Sequence, residues 1–178
     1  MTRHTPADRD WVRATVCRHE GPLTRYAARM LGGDVDRARD VAQDVFLKLW
    51  QADRSAIEPH LAQWLFRVCR NGALDVMRKE GRMTALDDRD LERKRPPDAE
   101  PGSSGETGES AGRLVKMVDA LPPRQQEAIR LKFQNGLSYG EISAVMDTTV
   151  SNVGVLIHTG LKAIRAKITA EPGQRVSR

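Results

Sequence analysis

Trp64, Arg67, Asn71 and Arg78 recur at spacings that put them on one side of a helix, with Arg70 and Lys79 beside them. Cations interleaved with an indole suit an unpaired nucleic-acid strand, because the charges follow phosphates and a flat ring offers an unstacked base a partner. The same residues fit a core tryptophan beside a solvated basic face. Ser151, Asn152, Val155, His158 and Lys162 form a second group near the start of another helical pattern. An asparagine amide can bind adenine at two points, and a valine can meet a thymine methyl. A third group has a different chemistry: Leu47 stands among Asp40, Asp44 and Gln51 on the polar side of its helix. That arrangement fits a partner-binding face, although Asp44 and Lys48 also have the spacing of an i,i+4 ion pair.

Nothing in the chain suggests bond-making chemistry. There is no nucleophile–base pair, phosphate-cradling glycine loop or carboxylate cluster. Cys17 and Cys69 are far apart, and His19 has no ligand spacing to His4, His60 or His158, so neither a disulfide framework nor a metal site is expected. No cofactor is implied.

The elements that must position these groups are helical throughout. Apolar residues recur every three or four positions, while alternating β-branched runs are rare. A first helix is expected over 8–20, broken or restarted at Gly21-Pro22, then carrying Leu23, Tyr26, Ala27, Met30 and Leu31 on one side up to Gly32-Gly33. Asp34 caps the next, whose buried stripe reads Val35, Ala38, Ala42, Val45, Phe46, Leu49 and Trp50. A third helix follows over 60–79, with Leu61, Leu65, Val68, Gly72 and Val76 inward. Pro122-Pro123 start a later helix that Gly136 stops, and Ser138 with Glu141 forms a capping box for a short one. After Asp147-Thr148-Thr149 comes a long helix with Val153, Ile157, Leu161, Ile164 and Ile168 inward. Short helix, tight turn and long helix make a helix-turn-helix, or else a plain helical hairpin.

Charge divides the chain. Residues 1–80 carry 14 basic and 11 acidic side chains, 81–112 carry 5 and 8, and 113–168 carry 8 and 4. Within 81–112, 11 of 32 positions are Gly, Pro or Ser, which marks a linker. The expected fold is therefore all-α: two small helical domains, 8–80 and 113–170, joined by a flexible acidic linker, the second holding the helix-turn-helix. Basic blocks flanking an acidic one suit contact with nucleic acid at two places. No apolar run approaches the ~20 residues of a membrane span, and MTRHTPADRD lacks a signal-peptide core, so a cytoplasmic protein is expected.

The order of these parts resembles the extracytoplasmic-function sigma factors of bacterial RNA polymerase. Leu23 to Trp50, ending DVDRARDVAQDVFLKLW, is similar to the segment that docks on the clamp helices of the largest polymerase subunit. WLFRVCRNGALDVMRKE resembles the segment that recognises and opens the minus-ten element, and ALPPRQQEAIRLKFQNGLSYGEISAVM with the helix after it resembles the reader of the minus-thirty-five element. The resemblance implies that Asp40, Gln43 and Asp44 meet polymerase and that Arg67, Arg70, Asn71, Arg78 and Lys79 serve the minus-ten element. It also implies that 53–59 captures an extruded base and that the acidic linker threads toward the RNA exit path. Core RNA polymerase and promoter DNA are the implied partners, with an anti-sigma protein as a further one and no membrane.

One departure stands out. Gly154, Val155 and Leu156 follow Val153 where the family usually places basic residues, so phosphate contacts should be few and salt dependence shallow. Two other readings remain open at this stage: a helix-turn-helix regulator acting without polymerase, and a polymerase-binding adaptor that has lost promoter reading.

Overall fold

The computed structural model describes residues 5–84 and 106–170, which fall into two compact units divided between Asp98 and Ala99. Both units are helical, and the described residues contain no strand. Most of the acidic stretch expected as a linker lies outside them.

In the first unit, α1 spans Pro6–Met30 and opens on a capping box: Thr5 Oγ1 accepts from the Asp8 amide at 3.3 Å, and Asp8 accepts from the Thr5 amide at 2.9 Å. The break expected at Gly21-Pro22 does not occur, because α1 continues through Pro22. A proline there removes one helical donor and costs about 3 kcal/mol in isolation. Burial of Leu23, Tyr26 and Ala27 in the next turn, against the helices that follow, offsets it.

Gly32 and Gly33, at φ 67° and 92°, reverse the chain. Asp34 Oδ1 then accepts from the Arg37 amide at 3.0 Å and starts α2, Val35–Gln51. Its buried stripe is Ala38, Val41, Ala42, Val45 and Leu49. Val35, expected inside, lies in the first turn and is 45% exposed, and Phe46 and Trp50 are only half-buried.

A four-residue helix α3, Arg54–Ile57, and a 3-10 turn, Glu58–His60, lead into α4, Leu61–Thr84. The last helix thus runs past Lys79 into the expected linker. Its buried face is Leu65, Phe66, Cys69 and Ala73, whereas Leu61, Val68, Gly72 and Val76 are only partly covered. The core register is rotated from the expected one. Phe66 meets the Tyr26 ring edge-on at 5.3 Å, and Cys69 donates to the Leu23 carbonyl at 3.7 Å. Burial pushes the Cys69 thiol up to about 12.

The second unit comprises α5 (Glu106–Asp119), α6 (Pro123–Phe133), α7 (Tyr139–Met146) and α8 (Val150–Ala170). Helix α5 begins inside the stretch expected as linker. Gly136, at φ 72°, ends the connection after α6 and lets the Leu137 amide reach back to the Leu131 carbonyl at 3.1 Å. On α8, Val153, Ile157 and Ile164 are buried as expected, but Leu161 and Ile168 are 37% and 48% exposed. Gly160 occupies the inward position instead: a Cβ there would lie 2.6 Å from Ile129 Cδ1 and 3.4 Å from Leu121 Cδ1.

The two glycines of α8 should therefore respond oppositely to substitution. At Gly154 the nearest atom to an added Cβ is Tyr139 at 3.9 Å, ordinary contact, so Gly154→Ala should stabilise by up to about 1 kcal/mol through helix propensity. Gly160→Val would overpack the contact with Ile129 and should cost about 2 kcal/mol. Thermal unfolding of the two variants checks this: opposite shifts of the midpoint are expected, and two shifts of the same sign would refute it.

Candidate nucleic-acid and partner interfaces

Because α4 buries Leu65, Cys69 and Ala73, its other side is left outward. Arg67, Asn71, Arg78 and Lys79 are exposed there, while Trp64 and Arg70 are half-buried. Arg78 Nη1 pairs with Asp75 at 2.9 Å, but both side chains stay more than half exposed, so the pair is weak. The structure thus gathers four of the six expected residues on open surface and seats the indole at its edge. A strand lying along this face would meet cations at both ends of the stripe and a ring near its start.

The helix-turn-helix is built by local capping. Ser138 Oγ accepts from the Glu141 amide at 3.3 Å and Glu141 from the Ser138 amide at 2.7 Å, which starts α7. Asp147, in the left-handed region at φ 50°, ends it. Thr149 Oγ1 then accepts from the Asn152 amide at 3.1 Å and starts α8. Ser151, Val155, His158 and Lys162 lie exposed along one side, with Val155 at 58%. Asn152 differs from the expected base reader: it is half-buried, and its side-chain amide donates to Thr148 Oγ1 at 2.8 Å, so part of its bonding capacity holds the turn. Between Val150 and Leu161 the helix has no Lys or Arg, and Lys162 is its first cation.

On α2, Asp40, Gln43, Asp44 and Leu47 are all exposed, and Leu47 is 60% exposed. Asp44 and Lys48 form no ion pair among the described residues, so the carboxylate is available to a partner. Arg37, at the other end of α2, bridges Asp34 at 3.2 Å and Glu80 of α4. That pair ties the acidic helix to the basic one.

Two cations escaped the sequence reading. Arg54 lies between carboxylates near Trp11, and Arg130 of α6 is 4% exposed with its Nη2 on Asp119 and its Nε and Nη1 unpartnered. Burial lowers the Arg130 pKa, and Asp119 opposes that shift. Its apolar neighbours, Ala128 and Ile129 before it and Leu131 after it, were the signal that this turn of α6 is enclosed.

Among the described residues no three His, Cys, Asp or Glu side chains are placed to hold a metal ion, and no helix is long and apolar enough to cross a membrane.

Comparison with known proteins adds a family. The model of Sigma-70 region 2 matches residues 15–83, and that of Sigma-70 region 4 matches residues 111–164. The chain is 30% identical over 164 residues to the ECF RNA polymerase sigma factor SigE of Mycolicibacterium smegmatis, covering 89% of this chain and 63% of that one. It is also 30% identical over 156 residues to SigD, an ECF RNA polymerase sigma factor of Mycobacterium tuberculosis, covering 84% of this chain and 73% of the relative. A solved structure of the sigma factor RpoE with the anti-sigma factor NepR from Bartonella quintana superposes with a TM-score of 0.65, at 21% identity, over 89% of this chain and 97% of RpoE. That last likeness concerns the fold.

Proposed function

The chain belongs to the extracytoplasmic-function sigma factors of RNA polymerase, and on that premise we propose that it binds core polymerase and directs it to a distinct set of promoters. The observation that carries the reading is the presence, on one chain, of an acidic face bearing an exposed leucine, a basic stripe beside an indole, and a helix-turn-helix.

In this reading Asp40, Gln43, Asp44 and Leu47 dock on polymerase. Trp64, Arg67, Arg70, Asn71, Arg78 and Lys79 hold the opened minus-ten strand, the cations on phosphates and the indole against a base. The exposed side of α8, with Ser151, Val155, His158 and Lys162, faces the minus-thirty-five duplex, and Asn152 braces the turn that aims it. The domains act as two readers, 8–80 and 113–170, and the acidic segment between them occupies a basic channel of polymerase until RNA displaces it. Bond formation stays with polymerase, and the protein works in the cytoplasm. An anti-sigma protein restrains it, as NepR is bound to RpoE in the related structure.

Mapping transcription starts made by core polymerase with and without the protein tests the proposal. New starts sharing two spaced DNA elements are expected. If no start depends on the protein, the reading fails, and tight operator binding without polymerase would point to a conventional regulator.

A further inference from the structure

The outward side of α8 changes character along its length. Helical spacing puts Ser151, Val155, His158, Lys162 and Arg165 there, and all five are exposed. No cation of the helix stands before Lys162. Two polar side chains flanking this side have donors already engaged. Asn152 donates to Thr148 Oγ1 at 2.8 Å, and Thr159 Oγ1 donates to the carbonyls of Val155 at 2.7 Å and Leu156 at 3.2 Å. Over the first two turns, Ser151 and Val155 are therefore what this side offers to a base edge.

Folding alone does not account for Val155. It is 58% exposed, so it adds little to the core, and a β-branched residue is a weaker helix former than alanine or lysine. Its stiffness suits contact instead. One χ1 rotamer dominates for valine in a helix, so its two methyl groups stand at a fixed place and lose little freedom on binding. Gly154 beside it is likewise not required by the fold, because the nearest atom to an added Cβ is Tyr139 Cε2 at 3.9 Å. A residue without a side chain there lets the helix backbone lie close to a groove wall. In the major groove the apolar group that a base edge presents is the thymine 5-methyl. The cations are spaced to serve the same docking. Lys162 lies seven residues beyond Val155, about 10 Å along the axis, and the major groove is about 12 Å wide. With Val155 against the base edges, Lys162 and Arg165 reach the phosphates of one wall.

We propose that α8 reads its DNA element through a thymine methyl group: Val155 is the specificity-determining residue, packed on the 5-methyl of one thymine, and Lys162 and Arg165 beyond it hold the neighbouring phosphates. This rests on the reading of α8 as the minus-thirty-five helix. Base choice and phosphate grip are thereby separated along one side of the helix, the first in its amino half and the second in its carboxyl half.

The test uses holoenzyme assembled from core polymerase and the full chain, on promoters found by mapping start sites. Each thymine of the upstream element is replaced singly by uracil, which differs only in lacking the methyl group, and binding is measured across a range of salt. Wild-type holoenzyme should bind about fourfold more weakly at one such position, the worth of one buried methyl group. Val155→Ser, an exposed change between residues of similar helix propensity, should bring that thymine-to-uracil ratio close to one. Lys162→Gln and Arg165→Gln should keep the ratio, weaken binding to both DNAs alike and each lower the salt slope by about one. Indifference of the wild type to every uracil overturns the proposal, as does a wild-type ratio in Val155→Ser, an upstream element in which the promoters share no thymine, or a salt slope unchanged in both cation variants. Absence of any start site dependent on the wild-type protein would instead sink the sigma-factor reading itself, and this one with it.

Discussion

Replacing Asp40 and Asp44 together with alanine should remove promoter-directed initiation while leaving the fold intact. Both carboxylates are exposed, and neither forms an ion pair among the described residues, so folding gains little from them. Docking should lose much more. Interfacial charges that become buried and hydrogen-bonded are worth about 2–5 kcal/mol when truncated, and rim charges much less. Taking a low combined value of ~2 kcal/mol, affinity for core polymerase should fall about thirtyfold. Leu47→Ala should add to this loss, because its side chain, 60% exposed and one turn beyond Asp44, is the natural apolar anchor beside the acids. Titration of labelled protein with core polymerase, with circular dichroism as a folding control, measures the effect. An unchanged affinity in the double variant would move the docking surface away from α2.

The other large effect belongs to the second unit. Asp119→Ala should destabilise it by about 3 kcal/mol, the low end for breaking a buried ion pair, since the Asp119 side chain is itself 48% exposed. The alanine leaves the Arg130 guanidinium enclosed at 4% exposure with no carboxylate, adding Nη2 to the two nitrogens already without partners. For so small a unit, the loss should lower the unfolding midpoint on the order of 10 °C or more. Arg130→Met should behave quite differently. It fills a similar volume, removes every orphan donor and should be neutral or stabilising, and it should rescue Asp119→Ala when the two are combined. A large loss from Arg130→Met alone would mean that the pair contributes more than its desolvation costs.

Arg54 and Arg130 show where sequence reading stopped. Local signals were legible because their causes are local: Asp34 and Ser138 cap within three residues, and Gly32, Gly33 and Gly136 stand where positive φ is needed. The grouping of Arg67, Asn71 and Arg78 on one open side, with Lys79 beside it, likewise follows from helical spacing alone.

Tertiary effects were hidden. Pro22 reads as a break until the burial of Leu23 and Tyr26 outweighs it. The expected inward stripe of α4 followed Val68, Gly72 and Val76, whereas packing against α1 encloses Phe66, Cys69 and Ala73. Gly160 is a weak residue for a helix interior, and only its meeting with Ile129 of the same unit explains it. Arg54 depends on Asp8 and Trp11, more than forty residues away in sequence, and no periodicity reports such a meeting. Asn152 has the chemistry to read adenine, but its turn claims part of it.

The cation-free start of α8 has a consequence for how the protein distributes itself in a cell. Non-specific adhesion to duplex DNA comes from phosphate neutralisation, and a recognition helix whose first twelve residues lack Lys and Arg contributes little of it. The chromosome is then a poor sink for this helix. What raises its occupancy is attachment: held on polymerase already at a promoter, it meets its DNA element at an effective concentration far above its bulk value. Competition for polymerase, more than competition among DNA sites, would then set how much of the protein is at work.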